Sequence, residues 1–173
     1  MPYAITLRLD TSAATRVAAL WRALAERGIS NDSIRLGYGP HVTLAILPDA
    51  ADHEQLVSVA AGLVPCLRPI HVVFSHLGLF PGACSVLFLA PAASATLLER
   101  HAEVLAALAG AAVDPHYRAW QWVPHVTLAK DVVNPAAAIL ALGGAGLPIP
   151  AILDTLEVVR FRPVERLGSF RLG

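Results

Sequence analysis

Pro40-His41-Val42-Thr43-Leu44-Ala45 recurs letter for letter as Pro124-His125-Val126-Thr127-Leu128-Ala129 in a chain of 173 residues. Each copy is predicted to be an extended strand, in which side chains alternate between faces. His41 and Thr43 then share one face while Val42 and Leu44 share the other, and the second copy does the same with His125, Thr127, Val126 and Leu128. Each copy offers an imidazole and a hydroxyl together, backed by apolar packing. Two copies supply the two histidines that acid/base chemistry without a metal requires.

Outward from the repeats, residues 3–9 alternate, with Tyr3, Ile5, Leu7 and Leu9 set against Ala4, Thr6 and Arg8, which predicts a half-buried strand. Val17, Leu20, Trp21 and Leu24 fall at helical spacing and predict a helix over 12–27. Asp10, Thr11 or Ser12 can cap it, and Gly28 suits the position just past its end. A glycine-bearing loop through Gly37 and Gly39 leads to the repeat strand at 41–47, followed by a helix over 52–64 and a strand over 70–79. The second half repeats this order: strand 85–90, helix 94–109, loop 114–118, repeat strand 122–130, a short helix capped by Asn134, and strand 152–161. An edge strand is expected over 167–172.

Both halves read strand, helix, strand, helix, strand, with the first strand starting about 40 residues before the histidine, as in a duplicated unit. The expectation is an α+β chain, one bilobal domain made of halves at about 1–80 and 81–173. Pseudo-twofold symmetry predicts two mainly antiparallel sheets with helices packed outside, and His41 opposite His125 across a central groove.

Thirteen basic residues balance thirteen acidic ones. Proteins that hold long nucleic acids by charge are not so balanced, so no DNA partner is expected, while a small phosphorylated ligand or an RNA end fits. The chain is 55 % hydrophobic, yet no apolar run approaches the roughly 20 residues that span a bilayer, so no membrane partner is expected. Met1-Pro2-Tyr3 passes directly into the first strand without a signal-peptide pattern, which makes the cytoplasm the default location. Cys66 and Cys84 lie far apart and outside any CxxC pair, and are expected to be small buried residues without a disulfide. A monomer is expected.

Two histidines on opposite walls of a groove suit in-line displacement at phosphorus. A neutral imidazole takes a proton from the attacking oxygen and an imidazolium gives one to the leaving oxygen; an ordinary pKa near 6.5 allows both forms around neutrality. Thr43 and Thr127 can donate hydrogen bonds to the non-bridging oxygens. Lys130, close behind His125, adds a cation for the phosphate.

On these residues the chain resembles the 2H phosphoesterase superfamily, and within it the bacterial 2′-5′ RNA ligase-like or RNA 2′,3′-cyclic phosphodiesterase group. The resemblance rests on His41-Val42-Thr43-Leu44, His125-Val126-Thr127-Leu128, the Leu77-Gly78-Leu79-Phe80-Pro81 turn and the strand Val86-Leu87-Phe88-Leu89-Ala90. It implies a bilobal fold with a central cleft and opening of a cyclic phosphodiester without metal or cofactor, with His41 as proton donor and His125 as acceptor. The residues by themselves do not distinguish those roles. Many relatives carry arginine where this chain has Lys130; lysine keeps the charge but loses the bidentate fork.

Tyr38, Phe80, Trp120 and Trp122 are candidate platforms for a nucleobase, with core packing the alternative for each. Arg8 and Arg118 are candidate phosphate contacts. His53, His71, His76, His101 and His116 form no recognisable metal-ligand set, and no His-Glu-x-x-His, Walker loop or Gly-x-Ser-x-Gly occurs. The expected partner is a cyclic-phosphate nucleotide or RNA end. Alternatives are a binding module with little turnover, and the same chemistry on ADP-ribose cyclic phosphate.

Overall fold

The computed structural model describes residues 1–83, 85–143 and 146–173. Strand β1 (Tyr3–Leu9) leads to helix α1 (Thr11–Glu26), a single turn α2 (Asp32–Arg35) and strand β2 (His41–Leu47). Helix α3 (His53–Leu63) and strand β3 (Ile70–Phe80) complete the first half. The second runs through β4 (Val86–Pro91), α4 (Ala95–Ala107), β5 (Val126–Lys130), α5 (Pro135–Ala141) and β6 (Ile149–Arg160), and β7 (Glu165–Arg171) follows.

All pairings are antiparallel, and the strand order β2-β1-β6-β3-β4-β5 reads the same backwards when each strand is exchanged for its counterpart in the other half. The expected pseudo-twofold relation is therefore present in the hydrogen bonding. The two sheets are joined into one, because β6 pairs with β3 over Ile149 to Leu153. Farther along, the same edge of β6 pairs with β7. The third strand of each half also lies beside the first strand of the other, β6 on β1 and β3 on β4.

Local signals explain the elements. Asp10 caps α1, its carboxylate accepting from the amides of Ser12 and Ala13, and also from Ile152 N at 2.7 Å, which ties the helix to β6. At the other end Ile29 N donates to Leu24 O and Gly28 N to Ala25 O, with Gly28 at φ +65°, the left-handed termination that glycine permits. Val17, Leu20, Trp21 and Leu24 are buried along one stripe, as their spacing predicts.

Several expectations are corrected. β1 is buried on both faces, Ala4 and Thr6 included, because its polar side forms a cleft floor. β5 begins at Val126 and not at 122, since Trp122 N turns back to Arg118 O in the preceding loop. α2 appears within the stretch read as loop. Cys66 is exposed, and Cys84 lies outside the described residues.

The sheet curls until its two ends, β2 and β5, approach within 8 Å without pairing. An unpaired strand edge normally exposes a row of carbonyls and amides. Here each edge is serviced by the opposite half: Trp122 Nε1 and Asp114 N donate to Thr43 O and Ile46 O of β2, while Trp21 Nε1 and Ser33 Oγ donate to Thr127 O and Leu128 O of β5.

Candidate active site

The curl brings His41, Thr43, His125 and Thr127 to the walls of a single cleft of about 840 Å³, open mouth included. Lys130 and Tyr38 line it too, as do Trp21, Asp32, Ser33 and, from the β6–β7 hairpin, Phe161, Arg162 and Val164. The alternation along β2 and β5 decides which side chains arrive there. Val42, Leu44, Val126 and Leu128 turn the other way into the core and are essentially inaccessible.

The two imidazoles are held identically. His41 Nδ1 lies 2.8 Å from Gly39 O and His125 Nδ1 lies 2.8 Å from Val123 O, each carbonyl two residues upstream. A carbonyl only accepts, so Nδ1 carries the hydrogen and Nε2 is left for a substrate.

Their surroundings differ. Under His41 runs a buried polar network: Tyr38 OH donates to Glu157 Oε2 at 2.6 Å and lies 2.7 Å from Thr6 Oγ1. Glu157 also accepts from Arg8, Arg166 and Ser169, and the Arg8 guanidinium lies 4.7 Å from the centre of the Tyr38 ring. The Tyr38 ring centre is itself 4.7 Å from that of His41. Beside His125 the corresponding space is aromatic, with Phe80 at 5.1 Å and Phe88 at 5.2 Å between ring centres. The register explains the difference: Thr6 pairs with Glu157 and Thr43, whereas Phe88 pairs with Gly78 and Thr127. A Cβ at position 78 would strike the Phe88 ring. Glycine there lets the ring lie flat over the strand.

Burial lowers the pKa of both histidines. His41 is pushed down to about 4, chiefly by desolvation, with Arg8 and His125 adding to the effect and Glu157 opposing it. His125 is lowered by desolvation and then by Lys130. Lys130 is lowered by its own desolvation and by the nearby Arg162. The ordinary value near 6.5 taken from the sequence is thus corrected downward for both histidines. Burial and the Glu157 carboxylate raise the Tyr38 phenol, which stays neutral.

Not every candidate reaches the cleft. Arg8 is engaged with Glu157, Tyr38 and Pro40 O beneath His41. Phe80 lines an adjoining groove that shares His125, Thr127 and Lys130 with the main cleft. Trp122 is buried, its ring stacked on His101 at 3.9 Å. Arg118 is exposed, bonds to Val113 O and lies outside the cleft, and Trp120 is fully exposed at φ +69°. Trp21, Ser33 and Arg162 were not legible as site residues. Glu157 had a signal, a lone carboxylate in the apolar run Leu156 to Val159. Among the described residues no three His, Cys, Asp or Glu side chains converge as a metal-binding group.

A curled α+β sheet that sets two His-x-Thr strands face to face defines a 2H phosphoesterase. The chain belongs to the 2′-5′ RNA ligase superfamily, whose model matches residues 9–165. It is similar in fold to TT0787 of Thermus thermophilus, with 18 % identity, TM-score 0.68 and coverage of 99 % of this chain and 98 % of that one. It is also similar to apo LigT of E. coli, with 15 % identity, TM-score 0.66 and coverage of 99 % and 96 %. Usb1 of Kluyveromyces marxianus matches with 10 % identity, TM-score 0.55 and coverage of 99 % and 97 %. Other LigT structures are complexes with 3′-AMP, ATP or NADP+. No curated protein sequence matches the chain. Among the described residues, no helix is long and apolar enough to cross a membrane.

Proposed function

We propose that the chain opens 2′,3′-cyclic phosphodiesters on RNA ends or small nucleotides by paired-histidine acid/base catalysis without a metal. The observation that carries this reading is the meeting of both His-x-Thr pairs in one cleft, each imidazole tethered through Nδ1 with Nε2 free. Superfamily membership and the nucleotide complexes of LigT support a nucleotide substrate.

The cyclic phosphate lies between the histidines with its non-bridging oxygens on Thr43 and Thr127. One Nε2 takes a proton from water as the water oxygen bonds to phosphorus. The bond from phosphorus to O3′ breaks, and the other imidazolium delivers its proton to O3′, leaving a 2′-phosphate and a 3′-hydroxyl. With a 5′-hydroxyl in place of water as the attacking group, the same steps form a 2′-5′ bond, and their reversal cleaves one.

The family resemblance assigns His125 as base and His41 as acid, and the cation beside His125 is consistent with that base role. His125 has Lys130 in its field, which disfavours imidazolium. His41 has the Glu157 carboxylate, which offsets part of the opposing charge of Arg8. The bound phosphodiester adds one negative charge between the rings and restores the imidazolium that desolvation suppresses.

The test is turnover of adenosine 2′,3′-cyclic phosphate and of a cyclic-phosphate-ended oligoribonucleotide in the presence of chelator, with the product identified by phosphorus NMR. Release of the 2′-phosphate supports the reading. Absence of turnover on a broad panel, with tight binding of the 2′-phosphorylated product, would make the chain a binding module instead.

A further inference from the structure

The two motif histidines are tethered alike, but only one tether is itself held. His41 Nδ1 donates to Gly39 O at 2.8 Å, and the backbone at Gly39 and Pro40 lies against Arg8. Arg8 Nε donates to Pro40 O at 3.3 Å, and a Cβ at position 39 would strike the guanidinium. The same guanidinium lies over the Tyr38 ring, 4.7 Å from its centre. Its place is set by Glu157, a buried carboxylate whose Oε2 accepts from Arg8 Nη1 at 3.3 Å and from Tyr38 OH at 2.6 Å. Oε1 accepts from Ser169 Oγ and lies 3.0 Å from Arg166 Nε. Neither Arg8 nor Glu157 lines the cleft, so neither touches a substrate there.

The second half builds the same strand and the same tether without these charges. Arg8 pairs with His41 and Leu7 with Val42; across the pseudo-twofold Leu89 pairs with Val126, so the place of Arg8 falls to Ala90. Glu157 pairs with Thr6 as Gly78 does with Phe88, so the place of the carboxylate falls to a glycine. His125 Nδ1 still lies 2.8 Å from Val123 O, on a loop where Val123 is 43 % exposed. Strand and tether therefore form without a buried ion pair. Such a pair is also a poor source of stability, since desolvation of both charges offsets their attraction. What the first half gains is orientation: a guanidinium fixed by a carboxylate holds the segment that carries the Gly39 carbonyl. A carbonyl that cannot turn away keeps the hydrogen on Nδ1 and leaves Nε2 for the cleft.

We propose that Arg8 and Glu157 are positioning residues for His41 alone, acting through the Gly39–Pro40 backbone to fix the tautomer and direction of its imidazole. This rests on the paired-histidine reading for the use made of Nε2. His41 then meets the reacting phosphate already oriented, while His125 is held by its loop carbonyl and by the rings of Phe80 and Phe88. The pair contributes to the chemical step and not to substrate affinity, because it touches the tether of the histidine and not the ligand.

The experiment uses the double variant Arg8→Met with Glu157→Gln, which removes both charges together and leaves neither buried alone. Long-range proton–nitrogen NMR, recorded above the titration of both imidazoles, reads the tautomer of each histidine, with His41 and His125 assigned from their Asn variants. In parallel, kcat and KM are measured on adenosine 2′,3′-cyclic phosphate. Wild-type His41 is expected as the Nδ1–H tautomer alone. In the double variant it becomes a mixture, His125 is unchanged, and kcat falls about 10–100-fold with KM within about twofold. Arg8→Lys, which keeps the charge beside Glu157 but has no fork to hold the backbone, falls between the two and carries the same readouts should the double variant not fold. An unchanged His41 tautomer in the folded variants overturns the proposal, and so does an equal change at His125, which marks general loosening. A wild type that turns over the cyclic phosphate, with kcat unchanged in the variants, overturns the positioning role alone. A selective change at His41 in a chain without activity on any cyclic phosphate supports the positioning role and overturns the cyclic-phosphodiesterase reading.

Discussion

Trp122 Nε1 donates to the carbonyl of Thr43 at 2.9 Å, so a side chain of the second half holds the motif strand of the first. Trp21 Nε1 returns the bond to Thr127 O at 3.0 Å. The gap between the two motif strands, which no backbone ladder spans, is thus bridged by two indoles alongside the Ser33 and Asp114 bonds. Replacing Trp122 by Phe keeps most of the ring and leaves the carbonyl unpartnered. The expected loss is about 1–3 kcal/mol of stability, read as a lower denaturation midpoint, together with a fall in kcat larger than any change in KM. Unchanged kcat in the folded variant would show that the indoles do not set the catalytic spacing.

His41→Ala and His125→Ala should each lower kcat by about 10²–10⁴-fold while the fold is retained. Single-turnover measurement on a cyclic phosphate checks this. Normal turnover by either variant would falsify the paired-histidine mechanism.

The depressed histidines shift the pH dependence. kcat/KM reports the free enzyme, in which His41 lies at about 4 and His125 below its ordinary value. Its bell should be centred on the acid side of pH 6.5. The kcat bell should lie at higher pH, because the bound anion favours imidazolium. Coincident profiles would mean that the phosphate does not sit between the rings.

Stability follows the same groups. Between pH 4 and 6.5 the unfolded His41 binds a proton that the folded one excludes, so stability rises with pH across that window and is lost as pH falls through it. The contribution is at most about 3 kcal/mol. His41→Asn should flatten the dependence of the thermal midpoint on pH between those limits.

Gly78→Ala forces its Cβ into the Phe88 ring, which packs on His125. A loss of about 1–3 kcal/mol is expected from overpacking, along with reduced activity, since the ring must shift against the histidine. Differential scanning calorimetry and turnover on one preparation check both.

The duplicated hexapeptides showed the motif strand faces and the four motif side chains, and apolar spacing elsewhere showed the long helices and the duplicated element order, because alternation and helical spacing are local properties of the chain. Other features depended on residues far apart in sequence. Glu157 meets Tyr38 and Arg8 only after β6 pairs with β1, which also makes the candidate contact Arg8 a support beneath His41. Trp122 was legible as an aromatic near the second motif, but whether it faces a ligand or the core depended on His101, reached through α4. Arg162 carried no signal, since a hairpin tip has no periodicity to read, and only the curl of the sheet brings it to Lys130. The two motifs are identical in sequence because the local geometry of a His-x-Thr strand is the same in both halves. Their inequivalence comes from the cross-strand rows, Glu157 with Thr6 on one side and Gly78 with Phe88 on the other, and such rows exist only once strands from both halves are paired.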